Sequence, residues 1–171
     1  LRGLVLAGGQ SVRMGQDKAS LVVGGRTLLA RSVELLQPLV RSVHVGIRAD
    51  QATDQLRSRF ALLVDEPAVA GPAAALVAAW LHDPGCAWLV LACDMPAVDP
   101  GSLEALVAAR DAGRGGTAWR GSDGGHPEPL CAIYEPATLA RFRRQVGQGG
   151  NPSARAWLAG ADTLLVDAPC A

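Results

Sequence analysis

The sequence predicts an α/β fold wound about a mostly parallel central sheet, and three observations carry that reading. Short apolar, β-rich runs alternate with alanine- and leucine-rich stretches; those stretches open on Thr, Asp, Gly or Pro, as helix entrances prefer; and glycine or aspartate follows the runs, where a parallel sheet gathers ligands. At 171 residues the chain is expected to form a single domain that buries roughly 70% of its extended-chain surface.

Taken in order, Leu4 to Ala7 reads as the first strand, ending at the paired glycines Gly8-Gly9. Helix is predicted from Thr27 to Pro38, strand from Val43 to Ile47, and helix from Asp50 to Arg59. Strand Leu62 to Asp65 precedes a helix from Pro72 to His82, and strand Trp88 to Ala92 precedes one from Pro100 to Ala112. After residue 113 glycines at 113, 115, 116, 121, 124 and 125 punctuate two short strands, Thr117 to Arg120 and Leu130 to Tyr134. A helix from Pro136 to about Val146 and a short one near Pro152 to Leu158 complete the pattern. No linker-length break separates residues 1–112 from 113–171, so the second half continues the same domain.

Composition bounds the function classes. Hydrophobic residues are 49% and charged residues 19% of the chain, a globular balance, and an aromatic share of 4% leaves the core to aliphatics. Sixteen basic and sixteen acidic residues cancel, which offers no long-range field toward nucleic acid or an anionic membrane. The four cysteines, at 86, 93, 131 and 170, form no CxxC pair, so neither zinc nor thioredoxin-like chemistry is indicated and reduced, cytoplasmic thiols are the default. No run approaches the roughly 20 apolar residues of a membrane span, and no signal peptide is evident. A soluble, unprocessed protein is expected; the absent initiator methionine and the abrupt end at Ala171 read as a trimmed chain.

Chemistry concentrates in the first turn, Leu6-Ala7-Gly8-Gly9-Gln10-Ser11-Val12-Arg13-Met14-Gly15-Gln16-Asp17-Lys18. Without side chains at Gly8 and Gly9, successive backbone N–H groups converge on phosphate oxygens, Arg13 forks onto them and Lys18 adds a mobile point charge. The natural guest is a nucleoside triphosphate. A P-loop needs its lysine directly after the second glycine, whereas Gly15 and Lys18 are three apart, and no GxGxxG run is present. The structural alternative is a glycine-rich turn carrying two solvated cations. Asp94 leaves a buried strand just before the Met95-Pro96 turn, and one aspartate suffices for Mg²⁺, which completes its shell with water and substrate phosphates. An Asx-turn that ends the strand is the alternative there.

The residues Leu6-Ala7-Gly8-Gly9 with Ser11, Arg13-Met14-Gly15 and Asp17-Lys18 closely resemble the signature of the molybdenum cofactor guanylyltransferases. Asp65, Gly71-Pro72, Cys93-Asp94-Met95-Pro96 and His126-Pro127 follow in the family's order, so the resemblance spans nearly the whole chain. It implies a three-layer, Rossmann-like nucleotidyltransferase fold and transfer of GMP from GTP to the terminal phosphate of molybdenum-molybdopterin, releasing pyrophosphate. It further implies Mg²⁺ on Asp94, catalytic roles for Arg13, Lys18 and Asp94, and nucleotide contacts from Leu6, Ala7, Gly8, Gly9, Ser11, Gly46, Asp65 and Gly71. His126 and Pro127 are implied on the acceptor side, with molybdoenzyme apoproteins or their chaperones as further partners and no nucleic acid or membrane. Residues 1–112 then form the nucleotide-binding half and 113–171 the acceptor side.

Two departures stand out: Gly46 replaces the asparagine many relatives carry, which removes a side-chain contact to nucleotide, and Gly71-Pro72-Ala73-Ala74-Ala75 replaces their Gly-Pro-Leu-Ala-Gly. The asparagine-bearing segment of relatives lies beyond Ala171. A cytidylyltransferase on the same pterin, a sugar-phosphate nucleotidyltransferase, and a nucleotide-binding or cofactor-delivery module without turnover are the competing readings. Asp17 before Lys18, where the cytidylyl branch has proline, favours guanine. Asp65 accepts equally well from guanine's N1–H edge or from ribose hydroxyls, or it caps the loop before Gly71. His126 is otherwise an exposed loop residue, and Arg141, Arg143 and Arg144 meet an acceptor phosphate or a partner, or form a solvated helix face.

Overall fold

The computed structural model of the chain describes residues 1–9, 17–121, 125–150 and 153–167. Strand β1 (Arg2–Leu6) leads to the first turn. A small hairpin, β2 (Val22–Val23) and β3 (Arg26–Thr27), reverses on Gly24 and Gly25, whose φ angles of +61° and +80° suit glycine. Sequence reasoning passed over this hairpin, although paired glycines between β-branched residues were its signal. Helix α1 (Leu28–Leu36) starts where Thr27 Oγ1 accepts from the Ala30 amide at 3.2 Å.

After β4 (Val43–Ile47) the expected helix from Asp50 to Arg59 does not form; two tight helical turns, Ala49–Gln51 and Arg57–Arg59, take its place. The segment carries no apolar stripe, and the Asp54 carboxylate takes the Arg57 amide at 2.9 Å, a local bond that competes with helix propagation. β5 (Leu62–Val64) follows, then α2 (Pro72–His82), with the bounds read from the sequence. β6 (Trp88–Ala92) is buried throughout, and α3 (Pro100–Ala108) begins at an Asp99 carboxylate that accepts from the Ser102 amide at 2.9 Å. α3 stops short of Ala112 because Arg110 turns to Glu135 and Asp111 closes its own turn onto the Gly113 amide, 2.9 Å away.

The second half supplies β7 (Gly116–Arg120), β8 (Pro127–Tyr134), α4 (Pro136–Gly147), α5 (Ala154–Ala159) and β9 (Thr163–Val166). β9, a short apolar run, is absent from the sequence reading. It pairs with β7, whose other partner, β8, begins earlier than expected because Pro127 pairs with Arg120 across an irregularity between Ala118 and Arg120.

The larger sheet has seven strands in the order β5-β4-β1-β6-β8-β7-β9, and β8 alone runs against the rest. Successive residues point to opposite faces. Val5, Leu89, Leu91, Cys131 and Ile133 pack with Leu29, Val33 and Leu36 of α1 and Leu103 and Leu106 of α3. Leu4, Trp88, Val90, Ala132 and Tyr134 pack with Leu76 of α2, Leu139 and Phe142 of α4, and Trp157 of α5. Helices therefore cover both faces, giving the three-layer α/β fold with a mostly parallel sheet. Among the described residues no helix is long and apolar enough to cross a membrane.

β7, α4 and the turn before β9 meet at Gly115, where an added Cβ would lie 1.6 Å from the Ala161 carbonyl oxygen and 2.9 Å from Thr138 Oγ1. Gly115→Ala is expected to cost on the order of 3 kcal/mol or more, because backbone must move to make room. Urea titration will show this as a lower midpoint with an unchanged slope.

Candidate active site

Because β5, β4, β1 and β6 are parallel, their carboxyl ends share one rim, and a cavity of about 660 Å³ opens there. Leu6, Ala7, Gly8 and Gly9 leave β1, Gly46 and Arg48 leave β4, Asp65 leaves β5, and Cys93 and Asp94 leave β6. Lys18 and the Gly71-Pro72 entrance of α2 complete the polar wall, while Val69, Ala75 and Leu130 add apolar surface. Of the predicted nucleotide contacts, Leu6, Ala7, Gly8, Gly9, Lys18, Gly46, Asp65, Gly71 and Asp94 all line this cavity. Ser11 and Arg13 lie outside the described residues.

Lys18 and Asp94 meet across the rim, the Lys18 ammonium donating to Asp94 Oδ2 at 2.6 Å. Their side chains are 40% and 37% exposed, so solvent screens the pair. The Asp94 hydrogen bond holds the Lys18 ammonium above the usual lysine range. No group of three or more His, Cys, Asp or Glu able to hold a metal occurs among the described residues. The Asp94 carboxylate, at the rim of the cavity and partly exposed, is a hard oxygen donor of the kind a cation takes singly when water and phosphate fill its remaining positions. Neighbouring Cys93 is 7% exposed, and burial pushes its thiol up to about 11, which removes it as a nucleophile at neutral pH.

Asp65 sits deeper. Its Oδ1 is buried without a hydrogen-bond partner among the described residues, and burial raises its carboxyl to about 6 despite the opposing pull of Arg48. Gly8 makes room for it, since a Cβ there would stand 2.9 Å from Asp65 Oδ2. Gly71 holds a φ of +67° at the start of α2, whose first turn has no side-chain cap. Gly71, Pro72, Ala74 and Ala75 border the cavity at this entrance, where the Ala74 amide turns back onto the Gly71 carbonyl at 3.1 Å.

His126 is exposed and Pro127 buried at the start of β8, and neither borders the cavity, although Leu130 of that strand does. Arg141, Arg143 and Arg144 are exposed on α4 away from it, Arg143 lying 5.4 Å from the Trp80 ring centroid. Two arginines escaped sequence reasoning. Arg48 donates to the Gly8 carbonyl and to Asp50, and Arg57 is buried behind the first turn. The position of Arg48, immediately after a predicted strand, was a usable signal; nothing local marked Arg57.

The raised Asp65 carboxyl has a signed consequence. The folded state favours its protonated form, so the residue is neutral in its effect below the unfolded value of about 4 and destabilising once pH rises through about 6. Asp65→Asn should therefore stabilise the ligand-free protein by on the order of 2 kcal/mol at neutral pH and by almost nothing near pH 4. Thermal melting of both forms across that interval measures it; a gain that is independent of pH contradicts the assignment.

Residues 3–164 match the family described as the MobA-like NTP transferase domain. A probable molybdenum cofactor guanylyltransferase of Opitutus terrae is 40% identical over 156 residues, which cover 87% of this chain and 73% of that protein. The molybdenum cofactor biosynthesis bifunctional protein of Synechocystis is 33% identical over 144 residues, covering 84% of this chain, which spans only 42% of the bifunctional protein. Among solved structures, molybdopterin-guanine dinucleotide biosynthesis protein A from Archaeoglobus fulgidus superposes with a TM-score of 0.78 at 25% identity, over 98% of this chain and 83% of that one. With matches of this extent laid over a rim that gathers the glycine turn, Lys18 and Asp94, the chain belongs to the MobA-like NTP transferase domain family and is a nucleotidyltransferase.

Proposed function

We propose that this chain transfers GMP from GTP to the terminal phosphate of molybdenum-molybdopterin and releases pyrophosphate. The observation that carries the reading is the meeting of Lys18 and Asp94, 76 positions apart in the chain, beside the Gly8-Gly9 backbone. A phosphate monoester has a second pKa of about 6, so the attacking oxygen is largely ionised at neutral pH and needs no general base. That oxygen forms a bond to the α-phosphorus, the α–β bridging bond breaks, and the electron pair leaves on pyrophosphate. The protein's task is to align two polyanions and stabilise the charge that develops.

Each residue has a part in that task. Glycine amides and the α2 entrance seat phosphate oxygens, Lys18 leaves its weak contact with Asp94 for the triphosphate, and Arg13 forks onto it. Asp94 would hold Mg²⁺, which when bound neutralises phosphate charge. Asp65 accepts hydrogen bonds from the nucleoside, either from the N1–H and amino edge of guanine or from the ribose hydroxyls. The acceptor approaches along β8, with His126 and Pro127 at the start of that strand. Molybdoenzyme apoproteins or their chaperones receive the product. A cytoplasmic setting belongs to the same proposal, and the free thiols of Cys86, Cys93 and Cys131 are compatible with it.

Pyrophosphate release measured with GTP, CTP and UTP, with and without molybdopterin and Mg²⁺, tests the substrate assignment. GTP with molybdopterin is expected to be the productive pair; CTP turnover would move the protein to the cytidylyl reading, and binding without release to the delivery-module reading. Lys18→Ala and Asp94→Ala should each lower the rate by about 100-fold or more, as removal of transition-state electrostatics does. Full activity in both would falsify these roles.

A further inference from the structure

Arg57 is 2% exposed and its guanidinium ties three separate segments together. Nη1 donates to Asp17 Oδ2 at 2.7 Å and Nη2 donates to Asp17 Oδ1 at 2.9 Å, a fork on the carboxylate. Nη2 also donates to the Ala7 carbonyl at 3.0 Å, where the chain leaves β1, and Nη1 reaches Asp54 Oδ1 at 3.3 Å on the β4–β5 connection. Asp17 in turn caps the helical turn Lys18–Ser20, its Oδ1 accepting from the Ala19 amide at 3.1 Å. Ala19, 1% exposed, pins the underside of that turn, and Lys18 projects from it to Asp94.

Asp17 borders the cavity, yet both its oxygens are spent on Arg57 and Ala19. The guanidinium hydrogen bond holds its carboxyl below the usual carboxylate range, so it stays an acceptor at working pH. Only an arginine serves here: its rigid planar fork meets two carboxylate oxygens and a carbonyl at once, whereas a lysine ammonium is a point charge on a flexible stem.

We propose that Arg57 is a positioning residue for Lys18, acting through Asp17: it clamps the Asp17-Lys18 turn to the end of β1 and so fixes where the ammonium stands at the rim. The inference rests on the nucleotide-transfer reading for its kinetic consequence but on geometry alone for its structural one. Arg57→Lys, with whichever nucleotide the protein turns over, is expected to lower kcat by about 10- to 100-fold while KM for the nucleotide stays within about threefold. In a Lys18→Ala background the same substitution is expected to change kcat by less than about twofold, because the group it positions is gone. Asp17→Asn, which keeps shape and loses the charge, should behave alike and decides the matter if Arg57→Lys does not fold.

Amide hydrogen exchange at Ala19 in the nucleotide-free protein should quicken in both variants, and this measurement stands even if no nucleotide is turned over. Unchanged kcat with Ala19 still protected overturns the proposal. So does a loss that repeats in full without Lys18, which would make Arg57 a stabiliser of the fold at large.

Discussion

The direction of four neighbouring strands is the constraint on which the rest depends. Because β5, β4, β1 and β6 all run the same way, each delivers its last residue to the same edge, where the ladder carries on just past the strands: the Ala7 amide donates to the Gly46 carbonyl at 3.0 Å, Cys93 to Leu6 at 3.1 Å and Asp65 to Ile47 at 2.7 Å. Polar chemistry collects at that edge because the residues that follow these strands, Gly8, Arg48, Asp65 and Asp94 among them, all emerge there. The approach is close: a Cβ at position 8 would stand 2.9 Å from Asp65 Oδ2, so any larger residue there would displace the carboxylate. A shift of one residue in the pairing of Val45 with Leu62 would turn each β5 side chain to the opposite face and carry Asp65 out of reach.

Two ionisable side chains are buried at this edge, on opposite terms. Arg57 spends its two terminal nitrogens on three oxygens of Asp17 and Asp54 and on one backbone carbonyl, so its charge faces two carboxylates, although its buried Nε has no hydrogen-bond partner among the described residues. Asp65 keeps a buried oxygen with no partner among the described residues, and the cost of that burial appears as a carboxyl that resists ionisation. A compensated charge fits scaffolding. An uncompensated one, facing a cavity, is the ground for proposing that a ligand supplies the missing donors.

Much of this was legible in the chain. The strand ends expected at Ala7, Ile47, Asp65 and Ala92 follow from short apolar runs broken by glycine or a charge, and the structure ends those strands at Leu6, Ile47, Val64 and Ala92; alternation with helical stretches points to their common direction. The helical stretch from Asp50 to Arg59 misled because its composition permits a helix, while a local Asp54 bond and the long-range pull on Arg57 impose turns. No local pattern shows that a carboxylate forty positions away will want this arginine. Gly46 and Ala75 make the same point: read separately they are two departures from the resembling family. In space they are one, since a Cβ at 46 would stand 3.0 Å from the Ala75 methyl. A larger residue at one requires a smaller one at the other.

The cavity thus divides by stiffness. Its apolar side is built from strand ends and the first turn of α2, held by sheet ladders and by a core buried on both faces, and has little freedom to change shape. Its charged side carries a partly exposed, solvent-screened ion pair. A site that must first hold a nucleoside and then redistribute charge among phosphates needs that difference: a rigid wall sets the position of the reacting phosphorus, and a loosely held ammonium reorganises around it at little cost. Such looseness is useful only if the backbone beneath Lys18 is itself fixed, so that the side chain moves and the turn does not. The Arg57 clamp on Asp17 meets that requirement from below the rim, which explains why an arginine with no access to solvent belongs to the same site as the partly exposed Lys18.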